Sequence, residues 1–271
     1  MPKLVLSQLL ILLAALSVAA PGARADTVLI TGANSGIGLE LATQYAADGW
    51  HVIATHRREL IPDSLAELAN QYENVQVETI DVTNIVTIQS TVEKLDGLPI
   101  DLLINNAAIV GQVDDPALHF GTLDYDRLHQ FFDVNAAGPL RVSEAFYSNV
   151  LNSDQKKIVA ISSVAGSPAN IKGGLDRGFS ILNRYPYNMS KAALNAAIVH
   201  LAANAEKDGV AVAAFHPGLV RVARTENYDE TMKTLQIDVH TSVEGLQEQF
   251  AELDLASSGS FISYDGKTLP W

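Results

Sequence analysis

Seven short apolar runs, rich in valine, isoleucine and alanine, recur along the chain, and each predicts a β-strand. They cover residues 27–30, 51–55, 75–80, 100–104, 157–161, 210–215 and 260–263. The run at 100–104 is almost entirely apolar, as expected for a central parallel strand that is covered on both faces. The run at 260–263 is predicted to lie at an edge of the sheet.

Segments with a helical spacing of apolar residues separate most of these runs. They cover residues 39–45, 85–95, 123–147, 187–205 and 242–253. The segment 123–147 fits one long helix or two, because Asn135 and the pair Gly138-Pro139 disrupt its middle. We therefore expect a local irregularity of functional importance there.

Strands joined by helices of this length form right-handed crossovers between parallel strands. The sequence thus predicts the α/β class, with a single-domain, doubly wound Rossmann fold over residues 26–271. Its sheet is expected to be mostly parallel and seven-stranded, with helices on both faces. Residues 166–178, with several glycines, predict a loop, and the polar stretch 221–239 predicts a mobile flap over a site.

A glycine-rich turn follows the first predicted strand, at Thr31-Gly32-Ala33-Asn34-Ser35-Gly36-Ile37-Gly38. In a dinucleotide site, one glycine permits the tight turn, another lets the backbone approach the pyrophosphate, and a third lets helix and strand pack closely. The following helix N-terminus offers free N–H groups and the positive end of its dipole to phosphates. On its own, the pattern fits an ordinary tight turn equally well.

The end of the second predicted strand indicates which nicotinamide cofactor would bind. An acidic residue there hydrogen-bonds the ribose 2′-hydroxyl, whereas an arginine accommodates a 2′-phosphate. The sequence is His56-Arg57-Arg58, with no acid before Glu59, which favours NADP over NAD. The alternative is that both arginines are solvated loop residues.

Composition excludes several classes of site. The formal net charge of −13 argues against a nucleic-acid partner, because phosphate binding needs clustered lysine and arginine. The chain has no cysteine, which excludes disulfides, metal–thiolate sites and cysteine nucleophiles. No metal site is predicted.

The first 25 residues differ in kind from the rest. Lys3 precedes an apolar stretch at residues 4–20, and Ala23-Arg24-Ala25 fits the small-x-small rule for cleavage after Ala25. This predicts a cleaved signal peptide and an exported chain, whether periplasmic, secreted or lumenal. The alternative is an uncleaved membrane anchor, although residues 4–20 fall just short of the ~20 residues of a typical span. A membrane partner is expected only in that second case.

Tyr187 and Lys191 are four residues apart and share one face of a predicted helix. A lysine ammonium near a phenol favours the ionised phenolate, which prepares a tyrosine to act as general acid or base near neutral pH. By itself, such a pair is common on helix surfaces.

Taken together, these residues resemble the short-chain dehydrogenase/reductase family. Its motifs occur in the family's order over residues 27–271, as Thr31-Gly32-x-x-x-Gly36-Ile37-Gly38, Asp81-Val82, Asn105-Asn106-Ala107, Asn135, Ser163, Tyr187-x-x-x-Lys191 and Pro217-Gly218. The segment 189–195 and the ending 264–271 resemble the C-factor and sniffer-like carbonyl-reductase branch.

The resemblance implies four catalytic residues. Tyr187 would exchange a proton with the carbonyl oxygen as NADPH delivers hydride, and Ser163 would hydrogen-bond that oxygen. Lys191 would favour the phenolate and bind the nicotinamide ribose, and Asn135 would keep an ordered water beside Lys191. The residues implied to bind the cofactor are Gly32, Ser35, Gly36, Ile37, Gly38, Arg57, Asp81, Val82, Asn105, Ala107, Tyr187, Lys191, Pro217, Gly218 and Val220.

Three departures from the family pattern limit the resemblance. Ala108 stands where the family has a glycine beside the cofactor, and Val222 stands where it often has a threonine. Ser163 and Tyr187 are 24 positions apart, more than is usual in the family. Residues 167–184 must therefore loop out near the substrate mouth if the two side chains are to meet.

The leading hypothesis is an NADP-dependent oxidoreductase acting on a small or medium apolar carbonyl or alcohol compound. The rival is a catalytically weak, nucleotide-binding signalling module of the C-factor type. A sugar-nucleotide epimerase is disfavoured, because its glycine spacing differs and a larger substrate domain is missing. The resemblance also implies a homodimer or homotetramer.

Overall fold

The computed structural model describes residues 24–112, 114–175, 184–226, 228 and 230–271. Residues 1–23, and with them most of the predicted signal segment, lie outside the described part of the chain. So does Gly178 of the predicted loop.

One seven-stranded sheet forms the centre of the molecule. Its strands are β1 (Thr27–Ile30), β2 (His51–His56), β3 (Val75–Thr79), β4 (Leu102–Asn105), β5 (Lys157–Ile161), β6 (Ala211–His216) and β7 (Phe261–Ser263). They lie in the order β3-β2-β1-β4-β5-β6-β7, and every neighbouring pair is parallel. The predicted sheet is confirmed, with β7 at its edge.

Helices lie on both faces of this sheet. They are α1 (Gly36–Ala47), α2 (Asp63–Gln71), α3 (Ile85–Lys94), α4 (Tyr125–Phe132), α5 (Gly138–Ala145), α6 (Tyr147–Leu151), α7 (Pro168–Leu175), α8 (Tyr185–Ala205), α9 (Glu230–Thr234) and α10 (Val239–Glu252).

Alternate side chains of the strands build two apolar layers. In β1, Val28 and Ile30 pack in the layer that contains α1, α2 and α10, whereas Leu29 packs with α3, α5, α6 and α8. The central strands are apolar on both faces because both faces are covered. The carboxyl ends of the strands therefore remain as the place where a ligand can reach the sheet.

The predicted loop at residues 166–178 is wrong in its first half, where α7 forms. Ser167 starts this helix, since its carbonyl accepts from the Ile171 N–H at 2.9 Å and its Oγ from the Asn170 N–H at 3.3 Å. Serine before the helix and Pro168 at its first position are both favourable start signals. They outweigh the two glycines further along.

Helix α2 is an element that the sequence analysis missed. Only two of its nine residues, Leu65 and Leu68, are buried apolar side chains. Its start carried one usable signal, because Asp63 in the first turn complements the positive end of the helix dipole.

The polar segment 221–239 is held to the end of β6 by backbone hydrogen bonds. The Arg221 N–H donates to Ile237 O at 2.8 Å, and the Ile237 N–H donates to Leu219 O at 3.0 Å. The segment contains α9, whose Met232 is buried. The segment therefore lies beside the residues that follow β6, and its mobility stays a prediction.

Arg24, on the leader side of the predicted cleavage site, forms an ion pair with the folded domain. Its Nη2 lies 2.8 Å from Oδ2 of Asp101, a carboxylate that is fully buried. The same oxygen accepts from the Thr27 N–H at 2.8 Å. Cleavage after Ala25 would remove the guanidinium and leave the carboxylate with backbone donors.

We expect a chain that begins at Asp26 to be less stable than one that begins at Arg24, by about 1–2 kcal/mol, because a half-exposed charge-assisted bond is lost. Urea unfolding at neutral pH measures the difference, with both chains released from a fusion partner without extra residues. In an Asp101→Asn background most of this difference should disappear, and the bond from Arg24 Nη1 to Thr27 Oγ1 at 3.1 Å accounts for the remainder. Equal stability with Asp101 in place would contradict the expectation.

Candidate active site

The carboxyl ends of β1 and β4 frame a crevice where the order of the strands reverses. The Thr31 Oγ1 accepts from the N–H groups of Asn106 at 2.9 Å and Ala107 at 3.0 Å. The Asn106 Nδ2 donates to the carbonyls of Thr31 at 2.9 Å and Gly32 at 3.1 Å. The glycine turn is thus fastened to the end of β4, and Asn106 is a supporting residue to which the sequence analysis assigned no role.

The glycine turn leaves no room for a side chain at Gly38. A Cβ at this position would lie 2.3 Å from Gly32 O and 2.4 Å from Asn106 Nδ2. Ser35 precedes α1 without a side-chain capping bond, and the first turn of that helix carries no acid. The free N–H groups at this helix end and the Ser35 hydroxyl therefore suit a phosphate.

A first cavity, of about 190 Å³, opens above the glycine turn and extends from the end of β2 to α8. Ten of the predicted cofactor residues line it: Gly32, Ser35, Ile37, Gly38, Arg57, Val82, Ala107, Tyr187, Lys191 and Pro217. Ala108, where the family has glycine, also lines this cavity. The structure therefore brings most of the predicted set to one place.

Three predicted cofactor residues line neither this cavity nor a second cavity that lies beside it. Gly36 opens α1 with φ +56°, beside Val222. The Asp81 carboxylate accepts from the N–H of Thr83 at 2.9 Å and from its hydroxyl at 2.7 Å. Asn105 is buried at the end of β4.

Arg57 and Arg58 are both exposed at the end of β2, but only Arg57 lines the first cavity. The Arg58 N–H donates to Nδ1 of the buried His56 at 3.2 Å. Burial and the Arg58 charge lower the pKa of His56, so that His56 is held neutral. The positive charge at this end of the cavity therefore comes from the arginines, and Arg57 is the one placed to meet a ligand.

A second cavity, of about 230 Å³, lies beside the first. Its wall is mostly apolar and includes Val110, Val164, Leu219, Val220, Met232 and Leu235. Gly218 and Val220, predicted to touch the cofactor, lie here and not in the first cavity. Met232 and Leu235 belong to the predicted flap, which therefore forms part of this wall.

Tyr187 lines both cavities, and only 9% of its surface is exposed. One helical turn later, the buried Lys191 donates from Nζ to Ile161 O at 2.7 Å and also lines the first cavity. The tyrosine hydroxyl and the lysine ammonium therefore belong to one enclosed region where α8 meets the end of β5. Charges interact strongly in such a region, because water is excluded.

Ser163 also lines the second cavity, together with Tyr187. Its Oγ accepts from the Ala165 N–H at 3.1 Å, and it donates to no other group in the described part of the chain. The neighbouring Ser162 donates its hydroxyl to the Asn195 side chain. Ser163 therefore retains a donor for a substrate oxygen, which favours it over Ser162.

Asn135 lies in a π-helical turn, Asp133–Ala137, between α4 and α5. This turn is the local irregularity that the sequence predicts in the middle of segment 123–147. The Asn135 side chain is fully buried and exchanges two hydrogen bonds of 2.8 Å with the backbone of Ile109. Its Nδ2 also donates to Ser190 Oγ at 3.0 Å. The side chain thus ties this π-helical turn to α8 and to the segment that contains Ile109 of the first cavity. Asn135 itself lines neither cavity.

His216, at the end of β6, is another residue of the second cavity that the sequence analysis did not assign. Burial lowers its pKa to about 4. Its Nδ1 is buried and has no hydrogen-bond partner among the described residues. The imidazole is therefore neutral at physiological pH and adds a polar, uncharged group to the wall.

Two kinds of feature are absent from the part of the chain that the structure describes, a metal site and a membrane-spanning helix. Among the described residues, no group of three or more histidine, aspartate and glutamate side chains is placed to hold a metal ion. No helix in the same ranges is both long and apolar enough to cross a membrane.

Comparison with known proteins supports the resemblance to the short-chain dehydrogenase/reductase family. The family model described as "short chain dehydrogenase" matches residues 26–233. The C-signal protein of Myxococcus xanthus is 31% identical over 174 residues, which is 64% of this chain and 93% of that protein. The 1-hydroxy-2-glutathionyl-2-methyl-3-butene dehydrogenase of a Rhodococcus species is 30% identical over 249 residues, 91% of this chain and 100% of that protein.

A solved structure agrees over nearly the whole chain. The NADPH-bound carbonyl reductase from chicken fatty liver superposes with a TM-score of 0.80 at 28% identity, covering 92% of this chain and 100% of that one. The predicted resemblance to the C-factor and carbonyl-reductase branch is confirmed. The protein belongs to the short-chain dehydrogenase family and is an oxidoreductase of its carbonyl-reductase branch.

Proposed function

We propose that the protein transfers hydride between NADP(H) and a small or medium carbonyl or alcohol substrate, with Tyr187 as general acid and base. The observation that carries this proposal is that Tyr187 lines both cavities. A nicotinamide in the first cavity and a carbonyl group in the second would meet at the phenol.

Reduction of a carbonyl requires a hydride at carbon and a proton at oxygen. The bound cofactor supplies the hydride. The Tyr187 hydroxyl supplies the proton, and the ammonium of the buried Lys191 stabilises the phenolate that is left. Ser163 donates a hydrogen bond that holds the carbonyl oxygen beside the phenol. In alcohol oxidation, Tyr187 takes the proton back.

The wall of the second cavity favours an apolar substrate. Its aliphatic side chains offer burial to a hydrocarbon skeleton, and the neutral His216 offers a hydrogen bond without a charge. The carbonyl group would lie at the end of this cavity that holds Ser163 and Tyr187. Such a site fits aldehydes, ketones or quinones.

The first cavity fits a dinucleotide with a 2′-phosphate. The side-chain-free turn at Gly32 and Gly38 and the open N-terminus of α1 suit the pyrophosphate. Arg57 lies at the end of β2, where the adenosine ribose is expected. The similar chicken reductase was solved with NADPH.

We expect Arg57→Ala to weaken NADPH binding about tenfold or more and to leave NADH binding nearly unchanged. A hydrogen bond to a charged group contributes roughly 1.5–3 kcal/mol. Fluorescence titration with each cofactor measures the change. Arg58→Ala removes the same charge from an arginine that does not line the cavity, and it should keep the preference for NADPH. If Arg57→Ala has the wild-type preference, the 2′-phosphate assignment is wrong.

We expect Gly38→Ala to weaken binding of both NADPH and NADH about tenfold, a loss of roughly 1.4 kcal/mol. The new methyl group would force the glycine turn away from Asn106 and misplace the N–H groups of α1. Gly209→Ala is a suitable control, because it also strains the chain (φ +73°) but has nothing within 4 Å of the added Cβ. It should lose some thermal stability and keep its cofactor affinity; equal losses of affinity would refute the expectation.

The direct test is turnover. Protein lacking residues 1–23 is mixed with NADPH and one substrate from a panel of aldehydes, medium-chain ketones and quinones. NADPH oxidation and formation of the alcohol product are both measured for each substrate. Matched formation of product and NADP with at least one class supports the proposal. Tight NADPH binding with no turnover across all three classes contradicts it.

One alternative is a nucleotide-binding signalling module with little turnover. The similarity to C-signal favours it. Tight NADP binding, together with a biological effect in the native host that Tyr187→Phe does not change, would support this alternative over the enzyme.

We also propose that residues 1–25 direct export and are removed after Ala25. The segment's apolar stretch and cleavage pattern support this proposal. Sequencing the N-terminus of protein from the native host tests it, and a chain that still begins at Met1 in the membrane fraction would favour the anchor at residues 4–20.

We also propose that the protein forms a homodimer or a homotetramer. Apolar side chains on α8 are exposed, Met189 and Val199 among them. Contact with another copy of the chain would bury them, which supports this proposal. Light scattering at micromolar concentration tests it, and a monomer would contradict it.

A further inference from the structure

Arg184 lies immediately before α8 and is almost completely buried, with 3% of its surface exposed. Its guanidinium carbon is 5.0 Å from the centroid of the Tyr187 ring. Its Nη1 donates to the carbonyls of Gly111 at 3.1 Å and Val110 at 3.4 Å. Arg184 is the last residue of segment 167–184, which was predicted to loop out near the substrate mouth, and it lines the second cavity.

The surroundings of the Tyr187 ring make this contact strong. The ring forms one buried cluster with Leu118, Phe131 and Ala165. Water is excluded from such a cluster, so a nearby charge is poorly screened. A cation over the face of an aromatic ring is attracted by the negative charge of that face.

Arg184 also joins two parts of the active site. Val110 lines both cavities, and the two carbonyls that accept from Arg184 belong to the segment that follows β4. Through one side chain, the start of α8 is therefore tied to the cavity wall opposite it. A change at Arg184 would alter both the charge on the ring and its position.

We propose that Arg184 is a positioning residue of the active site, which holds the Tyr187 ring between the two cavities and favours its ionised form from the ring face. This inference rests on the proposed function, in which Tyr187 is the general acid and base. Lys191 acts on the same phenol from one helical turn further along α8. The cation at Arg184 contacts the ring itself.

Other titratable groups near Tyr187 must be separated from it in any pH experiment. The two cavities are lined by Arg57, Lys191, His216 and Tyr228 in addition to Arg184. The elements that carry Leu118 and Phe131 add the ion pair Asp115–Arg127 and the histidines His119 and His129. His216 stays neutral above about pH 4, because burial lowers its pKa. Tyr228 is the group to exclude at alkaline pH, and Tyr228→Phe does so.

The direction of the effect follows from the charge on the ring. Ionisation of the phenol adds negative charge to the ring, so the cation stabilises the phenolate more than the phenol. Loss of the Arg184 charge must therefore move ionisation to higher pH. Alcohol oxidation needs the phenolate as base, so the pH at which its rate reaches half-maximum must rise.

The test compares three variants in alcohol oxidation with NADP as a function of pH. We expect the half-maximal pH to rise by about one unit in Arg184→Met, and by less in Arg184→Lys, which keeps the charge. Arg127→Met removes an arginine from α4 that does not contact the ring, and it should keep the wild-type profile. NADP affinity and the melting temperature establish that each variant is folded.

A second measurement separates this inference from the proposed function. The ultraviolet absorbance of tyrosinate, taken as the difference between a protein and the same protein with Tyr187→Phe, follows ionisation of Tyr187 without turnover. A folded Arg184→Met protein whose Tyr187 ionises at the wild-type pH overturns the inference, whether or not the enzyme is active. Absence of turnover in the wild type, with the absorbance shift still present, overturns the proposed function alone.

Discussion

Tyr187→Phe is expected to lower kcat for carbonyl reduction by about 10²–10⁴-fold, the contribution of a well-placed general acid. The substitution removes one hydroxyl group from a residue that lines both cavities. The phenyl ring retains its packing against Leu118, Phe131 and Ala165, so the fold should survive. The affinity for NADPH should fall only slightly, because the substitution removes one of several groups predicted to contact the cofactor and leaves the glycine turn, Arg57 and Lys191 untouched.

The measurements are steady-state reduction rates, NADPH affinity by fluorescence and the melting temperature. Tyr185→Phe is the matched control: it removes a hydroxyl two residues earlier on α8, from a half-exposed ring that pairs with Phe120 at 6.2 Å. It should retain the wild-type rate. A Tyr187→Phe protein that also retains most of its rate would show that the proton comes from another group.

The strands were predictable because burial on both faces imposes a simple pattern. A parallel strand covered by two helix layers must be apolar at consecutive positions, as at Leu102–Asn105, where only the last residue is polar. The glycine turn was predictable for a related reason, since the left-handed conformation of Gly32 and the close approach at Gly38 exclude other residues. In both cases the residues that reveal the constraint lie within a few positions of each other in the sequence.

Contacts between residues that are not adjacent in the sequence were predictable only where the repeat of an α-helix brings the two side chains to one face. Tyr187 and Lys191 are one turn apart, so their shared face followed from the sequence. Asn106 was different, because its amide bonds to Thr31 and Gly32 join residues more than 70 positions away. No local pattern marks such a contact, so only the fold reveals it.

The insertion between Ser163 and Tyr187 shows where composition misleads. Glycines at 173 and 174 predicted a loop, yet a serine cap and Pro168 start α7. Arg184 ends the same insertion, and the sequence predicted only that it belongs to a segment that loops out near the substrate mouth. Arg184 is buried, because two backbone carbonyls and an aromatic face replace water around its guanidinium. The burial of a charged residue beside Tyr187 is thus better predicted from its surroundings than from its residue type.

Gly166 lies where the turn that carries Ser163 meets α8, the helix that carries Tyr187 and Lys191 of the proposed catalytic set. It ends the short turn that begins after Ser163, and its N–H donates to Ser163 O at 2.8 Å. A Cβ at Gly166 would lie 2.7 Å from the backbone C and O of Lys191 and 2.9 Å from its Cβ. The turn that carries Ser163 and the helix that carries Tyr187 and Lys191 therefore touch backbone to backbone, and only glycine permits the approach.

Gly166→Ala is expected to lower kcat/KM for carbonyl reduction by about 10²-fold, because a misplacement of roughly 1 Å can cost that much. The added methyl group must push the turn away from α8 and so separate the Ser163 hydroxyl from the Tyr187 phenol. Overpacking should also cost about 1–3 kcal/mol of stability, measured by urea unfolding.

The control for Gly166→Ala is Gly245→Ala, in which the new Cβ would meet the Tyr264 carbonyl at 2.4 Å. That clash lies in α10 and touches neither Ser163 nor Lys191, so it should lower stability and reduce kcat/KM far less than Gly166→Ala does. A small loss of rate is expected, because the Tyr264 N–H donates to the carbonyl of His216 in the second cavity at 2.8 Å. Comparable losses of kcat/KM in the two variants would attribute the effect to general destabilisation. A large loss confined to Gly166→Ala would show that the distance between the serine turn and α8 sets the rate, because that is the geometry which only this substitution changes.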